Sequence, residues 1–257
     1  MQVDIIQKNY PKRVALRDIH LNFPSGRTSL IIGTSGAGKS TLIKCLIGTT
    51  SYEGSVSGYR REDIAYIPQH PALNVEETAH DAIYWSARFS RLYRGREALR
   101  RAVDQYVGQM GLQSVQNQKI DDLSGGQKQR VSIAKELIRG KQIIIADEID
   151  TGLDCGVSRD LIGKLRDITH QTGKTTIIIS HNIVNIEMYD NVIVLAKGSD
   201  GVGGIAYAGS PAGIRNFFGV NSYVDILTKI NANDEGGLGQ ASDYIRDFAR
   251  LRYQGRV

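Results

Sequence analysis

Short, almost wholly apolar runs recur along the chain and predict its central strands. They lie at residues 30–32, 64–67, 143–146, 176–179 and 192–195. Because each run is apolar throughout, both faces of each strand are expected to be covered. Helical stretches are predicted between these runs, at residues 39–47, 127–139 and 158–170. This alternation predicts an α/β fold with a mainly parallel sheet.

The segments around this pattern differ from it. Residues 3–8 and 14–23 mix polar and apolar positions, which predicts an antiparallel β subsheet. Strand signals are absent from residues 75–118, where Ala, Arg, Gln and Leu predict a helical insert. Trp85 and its aromatic neighbours in that insert are interpreted as a helical core cluster. A partner-docking surface is the alternative.

The C-terminal part has two alternatives as well. Residues 231–240 are polar and rich in glycine, which predicts a linker. Apolar side chains then recur at helical spacing from Tyr244 onward, with arginines among them. This pattern predicts either a short helix for a membrane surface or partner, or a helix packed on its own domain.

Composition limits the class of protein only broadly. The chain has 257 residues, 41% of them hydrophobic, with a net charge of +5, which suits one large domain or a domain with a subdomain. That charge is compatible with nucleic acid, a membrane surface or an anionic ligand, and selects none of them. Cys45 and Cys155 have no metal-ligand spacing and are interpreted as ordinary small residues. With no signal-like start and no run near the roughly 20 apolar residues of a membrane span, a soluble chain is expected.

The strongest chemical pattern follows the first apolar run. Residues 33–40 match a phosphate-binding loop, the P-loop, in full: Gly33, Thr34, Ser35, Gly36, Ala37, Gly38, Lys39 and Ser40. The glycines let successive backbone N–H groups point at phosphate oxygens, and the following helix adds its dipole. Lys39 is expected to reach the β- and γ-phosphates, and Ser40 to hold Mg²⁺.

Two further segments carry candidate chemistry. Asp147 and Glu148 end an apolar strand, where Asp147 would support Mg²⁺ through water and Glu148 would orient and help deprotonate an attacking water. A second Ser/Gly loop opens a second helix and has the properties of an anion site. Its residues are Ser124, Gly125, Gly126 and Gln127. A plain N-cap role for Ser124 is the alternative, although the two glycines disfavour helix.

The order of these segments resembles that of ABC ATPase domains. Residues 33–40 resemble Walker A, residues 123–127 (LSGGQ) the signature loop, and residues 143–148 Walker B. The resemblance covers most of the chain and implies a P-loop NTPase (RecA-like) core, with ATP and Mg²⁺ as cofactors. It implies one ABC ATPase domain over residues 1–257, whose core takes up residues 1–74 and 119–220. A helical subdomain would comprise residues 75–118 and the start of the signature helix, and residues 221–257 would form a helical tail.

The resemblance also implies roles for single residues. Gln69 resembles the glutamine that senses Mg²⁺ and the attacking water, and His181 resembles the switch histidine at the γ-phosphate. Glu148, His181 and Gln69 are therefore the expected catalytic set, and Ser40, Gln69 and Asp147 the expected metal set. Asp154 resembles the last residue of the D-loop, and Tyr10 the aromatic residue that stacks on adenine. Thr41, Tyr10 and Asp154 join the P-loop and the signature loop as expected nucleotide-binding residues.

The sequence departs from the family pattern at one place, and the same resemblance implies how two subunits assemble. The family usually has Pro-Thr-Ser after its Asp-Glu, whereas Ile149, Asp150 and Thr151 follow here. This change is expected to alter the stiffness of the loop and to add charge near a subunit interface. The resemblance implies two subunits arranged head to tail, with the P-loop of one facing the LSGGQ of the other. One complete set of motifs predicts a homodimer, and pairing with a different ATPase subunit is the alternative.

Three kinds of ABC machine differ in the architecture that they require. Repair-type members need a long coiled-coil insertion and translation-type members carry two ATPase domains; the chain has neither. A transporter motor is therefore expected, peripheral on the cytoplasmic side of a membrane. Its partner would be a polytopic transmembrane subunit or a fused membrane domain, with no nucleic acid. A soluble ABC ATPase acting on nucleic acid or ribosomes is the alternative.

The direction of transport is predicted from the tail. Residues 192–195, 204–211 and 217–219 resemble the glycine-bounded hairpin and aromatic motif of G-subfamily and ABC-2-type exporters. Export is therefore expected. The sequence leaves open whether the chain is a separate subunit or a soluble domain of a longer protein.

Overall fold

The computed structural model describes residues 1–233 and 236–255, and their fold is α/β. The strands are β1 (Gln2–Tyr10), β2 (Arg13–Asn22), β3 (Thr28–Gly33), β4 (Glu53–Ser57), β5 (Ile64–Ile67), β6 (Ile143–Asp147), β7 (Thr175–Ile179), β8 (Asn191–Lys197) and β9 (Gly203–Gly209). They form one mixed sheet in the order β4-β1-β2-β9-β8-β3-β7-β6-β5. The predicted fold class is confirmed.

The apolar runs are the buried centre of this sheet. Every residue of β3 and β7 is buried, and β3 pairs in parallel with β7 and β8. β6 lies in parallel between β5 and β7. The antiparallel part consists of β1 between β2 and β4, together with the β8–β9 hairpin. No apolar run signalled β4, because this exposed edge strand has the polar sequence EGSVS and packs few side chains.

The helices are α1 (Lys39–Leu46), α2 (Ala79–Ser90), α3 (Arg96–Gln109), α4 (Gly125–Leu137), α5 (Cys155–Thr172), α6 (Pro211–Phe218), α7 (Val224–Ile230) and α8 (Ala241–Tyr253). The helical character predicted for residues 75–118 corresponds to α2 and α3, which pack against each other and against α4. None of the described helices combines the length and the apolar character needed to cross a bilayer.

The aromatic residues of α2 depart from their expected place in a core. Trp85 is 46% exposed and Phe89 is 76% exposed, so the expectation of a core cluster is wrong for both. The helix instead buries small and aliphatic residues, including Ala82 and Ile83. Spacing alone did not show which side of α2 would turn inward, because aromatic and alanine positions alternate around the helix.

The C-terminal helix α8 packs on its own domain, which decides between the two alternatives for this segment. Phe248 is buried against Tyr207 of β9 and Phe217 of α6, with ring centroids 6.0 Å and 6.1 Å away. Such contacts between aromatic rings stabilise the packing beyond what the buried apolar area contributes. Asp234 and Glu235 of the expected linker, and Arg256 and Val257 of the expected tail, lie outside the described residues.

Two consecutive glycines let the P-loop and α8 approach β9 from opposite sides. A Cβ on Gly203 would stand 2.1 Å from the carbonyl oxygen of Ala37 in the P-loop. A Cβ on Gly204 would stand 3.0 Å from Ile245 of α8. A side chain at the first position would therefore push the phosphate loop away from the sheet.

A partly buried carboxylate joins the start of β3 to the start of β8. Asp190 accepts hydrogen bonds from the backbone N–H of Thr28 at 2.8 Å, from its hydroxyl at 2.9 Å, and from Nε2 of His170 at 2.8 Å. Burial raises the pKa of Asp190, but the hydrogen bonds from His170 and Thr28 outweigh it and lower the pKa to about 2.

We predict that Asp190→Asn lowers the free energy of unfolding by about 2 kcal/mol at pH 7. A carboxylate with a lowered pKa stabilises the folded state above its unfolded pKa, and this contribution is lost as the pH falls from about 4 to about 2. Urea unfolding of the parent protein and the variant at pH 7 and pH 3 measures the effect. The difference in free energy of unfolding between the two proteins should be smaller at pH 3. An equal difference at both pH values would contradict the role of the charge.

Candidate nucleotide-binding and hydrolysis site

The carboxyl ends of four parallel strands meet at one edge of the sheet. Ile179 of β7 pairs with Asp147 of β6 and with Ile31 of β3, while β5 ends beside β6. This register places the P-loop after β3, Gln69 after β5, Glu148 after β6 and the residues following Ile179 on the same side. Such an edge is where ligands bind in open parallel sheets.

The P-loop is built so that its backbone can approach an anion closely. Gly33 has φ +156° and Gly38 has φ +97°, and a Cβ on Gly38 would stand 2.4 Å from Leu16 Cδ2. Gly38 is also the N-cap of α1, where no side chain bonds the first N–H groups of the helix. These N–H groups are therefore available to phosphate oxygens. Ser35, Gly36 and Ser40 are exposed on this side, and Thr41 is half-buried.

Lys39 reaches back over the loop instead of into solvent. It is 8% exposed, and its Nζ donates to the carbonyl oxygens of Gly33 at 2.8 Å and Thr34 at 3.0 Å. Burial lowers the pKa of Lys39, while the charges of Glu148 and Asp147 act to raise it. An ammonium group has three N–H donors, so one remains for a phosphate oxygen.

Glu148 is held from two sides by residues that lie far away in the sequence. Gln69 Nε2 donates to Glu148 Oε2 at 2.8 Å, and His181 Nε2 lies 2.8 Å from Glu148 Oε1. The structure thus brings together the three residues that the sequence suggests for catalysis. Glu148 also has φ +48°, a left-handed conformation that costs energy for a residue with a side chain and that clusters at functional sites.

Asp147 has a partner that the sequence did not single out. Tyr66 donates its hydroxyl to Asp147 Oδ2 at 3.1 Å. Burial, and after it the charge of Asp147, raises the pKa of Tyr66 to about 12, so the phenol stays a donor. Burial also raises the pKa of Asp147. The available signal was a single hydroxyl in the otherwise apolar run at residues 64–67.

Three side chains at this edge offer oxygen atoms of the kind that fit a hard divalent cation such as Mg²⁺. Gln69 commits its amide nitrogen to Glu148, so its carbonyl oxygen is left for another partner. The exposed hydroxyl of Ser40 and the carboxylate of Asp147 complete a set of oxygen donors, which is the kind that Mg²⁺ prefers. Mg²⁺ would supply neutralisation of phosphate charge there.

The signature loop uses its serine as a helix cap. Ser124 Oγ accepts the N–H of Gln127 at 3.3 Å, and Gln127 Oε1 accepts the N–H of Ser124 at 2.9 Å. Gly125 and Gly126 form the first turn of α4 despite their low helix propensity. Within residues 1–233 and 236–255, no hydrogen bond or salt bridge joins this loop to the P-loop. The two loops that are predicted to bind anions are therefore not linked directly to each other in one chain.

The residues after Glu148 separate into an exposed part and a buried part. Asp154 is exposed and caps α5 by accepting the N–H of Val157 at 2.8 Å. Asp150, which was expected to add charge near an interface, is instead 5% exposed and bonded to Ser180. That expectation is wrong because Asp150 turns inward to a serine 30 residues away, a contact that the local sequence does not show.

Tyr10 ends β1 at the tip of the first hairpin. Its ring is half-buried, and Lys8 Nζ lies 4.5 Å from the ring centroid. This Lys8 is fixed by donating to the carbonyl oxygen of Ser51 at 2.7 Å. A cation against one face of an aromatic ring orients it and leaves the other face for stacking.

Comparison with known proteins places the chain in a family. The ABC transporter family profile matches residues 16–151. The chain is 30% identical over 208 residues to the manganese transport system ATP-binding protein MntB of Halalkalibacterium halodurans, covering 77% of this chain and 83% of that protein. It is 29% identical over 203 residues to the sulfate/thiosulfate import ATP-binding protein CysA of Nocardia farcinica, covering 75% of this chain and 61% of that protein.

A solved structure agrees with these matches. The structure of an ATP binding subunit of an ABC transporter superposes with a TM-score of 0.72 at 25% identity, covering 88% of this chain and 96% of that one. The fold and the P-loop define a nucleotide-binding P-loop protein. The chain belongs to the ABC transporter family, and the predicted ABC transporter ATP-binding domain is confirmed.

We predict that Tyr10→Ala weakens binding of ADP about tenfold, because stacking of one base on an aromatic ring is worth roughly 1–3 kcal/mol. Tyr10→Phe keeps the ring and should bind within about twofold of the parent protein. Calorimetric titration with ADP measures both. Equal affinities for the Ala variant and the parent would show that adenine does not lie on Tyr10.

Proposed function

We propose that the chain is the Mg²⁺-dependent ATP-hydrolysing motor of an ABC transporter. The observation that carries this proposal is the Glu148 carboxylate, which Gln69 and His181 hold at the sheet edge where the P-loop opens. A carboxylate fixed beside a phosphate-binding loop can orient a water for attack on the γ-phosphate and accept its proton.

The other residues of this edge divide the work of binding and stabilisation. Lys39 and the free N–H groups of α1 would bind the phosphates, and Ser40, Gln69 and Asp147 would hold Mg²⁺. His181 would contact the γ-phosphate from the opposite side to the P-loop lysine. Hydrolysis transfers the γ-phosphoryl group to water and leaves ADP and inorganic phosphate.

A second subunit completes this site in the proposal. Ser35, Gly36, Ser124, Gly125 and Asp154 are exposed in the single chain. The P-loop and the signature loop both expose backbone that could bind phosphate. This is explained if each nucleotide is bound between two chains arranged head to tail. The signature loop of one subunit would then meet the γ-phosphate at the P-loop of the other. We propose a homodimer, with a different ATPase subunit as the alternative partner.

We propose that the membrane partner docks on a helical subdomain made of residues 75–118 and the start of α4. Trp85 and Phe89 stack with ring centroids 5.9 Å apart and line an open cavity of about 430 Å³. Lys135 and Arg139 of α4 line the same cavity. Exposed aromatic pairs beside basic groups suit an apolar partner segment that carries an acidic side chain. The chain would thus be peripheral on the cytoplasmic side of a membrane.

Export is the proposed direction of transport, and its support is the tail alone. The segment that resembles exporters forms the β8–β9 hairpin and α6, where Ser210 caps the helix and Pro211 is its first residue. CysA, by its name, is an import protein, so the relatives do not add support for export. The partner would be a separate polytopic subunit or a fused membrane domain.

We predict that Glu148→Gln abolishes turnover and traps a dimer with bound ATP. The amide keeps the shape of the side chain but cannot accept the proton of the attacking water. Size-exclusion chromatography with light scattering, with and without Mg-ATP, measures the dimer. A variant that stays monomeric with ATP and hydrolyses it at the parental rate would sink the proposed role.

Ser124→Arg provides the complementary variant for the second subunit. Because Ser124 lies apart from the P-loop of its own chain, this variant should bind ATP with parental affinity and fail to hydrolyse it. Loss of ATP binding itself would contradict a site that is shared between two chains.

We predict that Phe89→Ser reduces the amount of polytopic membrane protein that co-purifies with the tagged chain from its native membrane by about tenfold or more. An exposed aromatic anchor of this kind carries a large share of the binding energy of an interface. Tyr253→Ser, at a residue that is 95% exposed elsewhere, is the matched control and should co-purify as much as the parent. Co-purification of ribosomes or nucleic acid in place of a membrane protein would favour the soluble alternative.

A further inference from the structure

Asp150 is a buried carboxylate in the loop that follows Glu148, here called the acidic loop (residues 148–154). Ser180 Oγ lies 2.9 Å from Asp150 Oδ1 and 2.7 Å from Asp150 Oδ2, so the hydroxyl donates to this carboxylate. Asp150 is 5% exposed and Ser180 is fully buried. The pair is thus closed to solvent although the site beside it is open.

Ser180 begins the segment that carries His181, here called the switch loop (residues 180–184). Its Oγ also accepts the backbone N–H of Asn182 at 2.8 Å. Asn182 Oδ1 in turn accepts the N–H of Val184 at 3.0 Å. The backbone is therefore fixed immediately before and after His181, and the hydrogen bond from Ser180 to Asp150 anchors that arrangement to another part of the chain.

The acidic loop and the switch loop are joined at successive levels. The N–H of Glu148 donates to the carbonyl oxygen of Ile179 at 2.8 Å, which continues the ladder between β6 and β7. His181 meets the side chain of Glu148 in the open site, and Ser180 meets Asp150 below it. His181 itself is largely exposed, so packing does not fix its ring. Its position therefore depends on its contact with Glu148 and on the backbone that Ser180 and Asp150 hold.

Stability alone does not favour a carboxylate at this place. Burial raises the pKa of Asp150, which is the sign of a charge that has lost water. The nearby buried hydroxyl of Tyr189 has no hydrogen-bond partner among the described residues, so this pocket contains polar groups that are not all paired. A neutral residue that satisfies Ser180 would cost less.

We propose that Asp150 is a positioning residue for His181. By holding Ser180, it sets where the imidazole of His181 stands relative to Glu148 and to the phosphate that hydrolysis releases. The inference rests on the proposed ATP hydrolysis at this site, and it adds a residue that does not touch the nucleotide.

The kinetic test uses the full chain with Mg-ATP. Asp150→Ala and Ser180→Ala should each lower kcat about tenfold and leave KM within about twofold, because a misplaced group loses transition-state contacts and not uniform binding. Asp150→Asn still presents an oxygen to Ser180 and should keep kcat within about threefold. In a His181→Ala background, Asp150→Ala should cause no further loss, as expected of residues that act through one group.

A second readout does not depend on turnover. The chain has five histidines, and the imidazole resonances of His181 can be assigned by comparison with His181→Ala. Asp150→Ala should shift the His181 resonances and leave those of His170 in place. Asp190→Asn is the matched control, since Asp190 is also a carboxylate bonded to a hydroxyl, and it should shift the His170 resonances and not those of His181.

The outcomes separate the proposals. Three outcomes would each overturn the positioning role of Asp150. The losses of kcat in the two single variants could multiply in the double variant, KM could rise as kcat falls, or the His181 resonances could stay in place. A parent chain without ATPase activity, in which Asp150→Ala still shifts the His181 resonances, would overturn the proposed hydrolysis and leave the link between Asp150 and His181 standing.

Discussion

The structure depends on the main-chain register of three buried strands, β3, β6 and β7. Ile179 pairs with both Asp147 and Ile31, so one row of hydrogen bonds determines how far each strand extends at the same edge. A shift by one residue would turn every side chain to the opposite face and would separate Glu148 from His181. The apolar side chains on both faces of these strands prevent such a shift, because it would move their packing out of register.

Opposite charges face each other across this edge. Lys39 lies buried on the side of the P-loop, and Asp147 and Glu148 face it from the end of β6. In the proposed function, a nucleotide would bring negative charge into a region that already holds two carboxylates, and a divalent cation and the helix dipole of α1 would offset it. The hydrogen bonds from Tyr66 and Gln69 hold both carboxylates in place.

The sequence predicted the buried strands of the fold and the residues of the candidate site that belong to recognisable motifs. The apolar runs predicted β3, β5, β6, β7 and β8, and the resemblance to ABC ATPase domains indicated the residues that meet around Glu148. It did not find β4, whose pairing with β1 is made by backbone groups and leaves no apolar period. The burial of Asp150 and the exposure of Phe89 depend on partners distant in sequence or on the rotation of a helix. The residues next to Asp150 and Phe89 in the sequence do not predict either property.

One consequence concerns force rather than chemistry. Gly203 and Gly204 place a single strand between the phosphate loop and the last helix, with Ala37 against one side and Ile245 against the other. Because both positions are glycines, no side chain of the strand lies at either contact to absorb a displacement. Tension applied along α8, or a sideways push on it, would reach the nucleotide loop through the thickness of one strand.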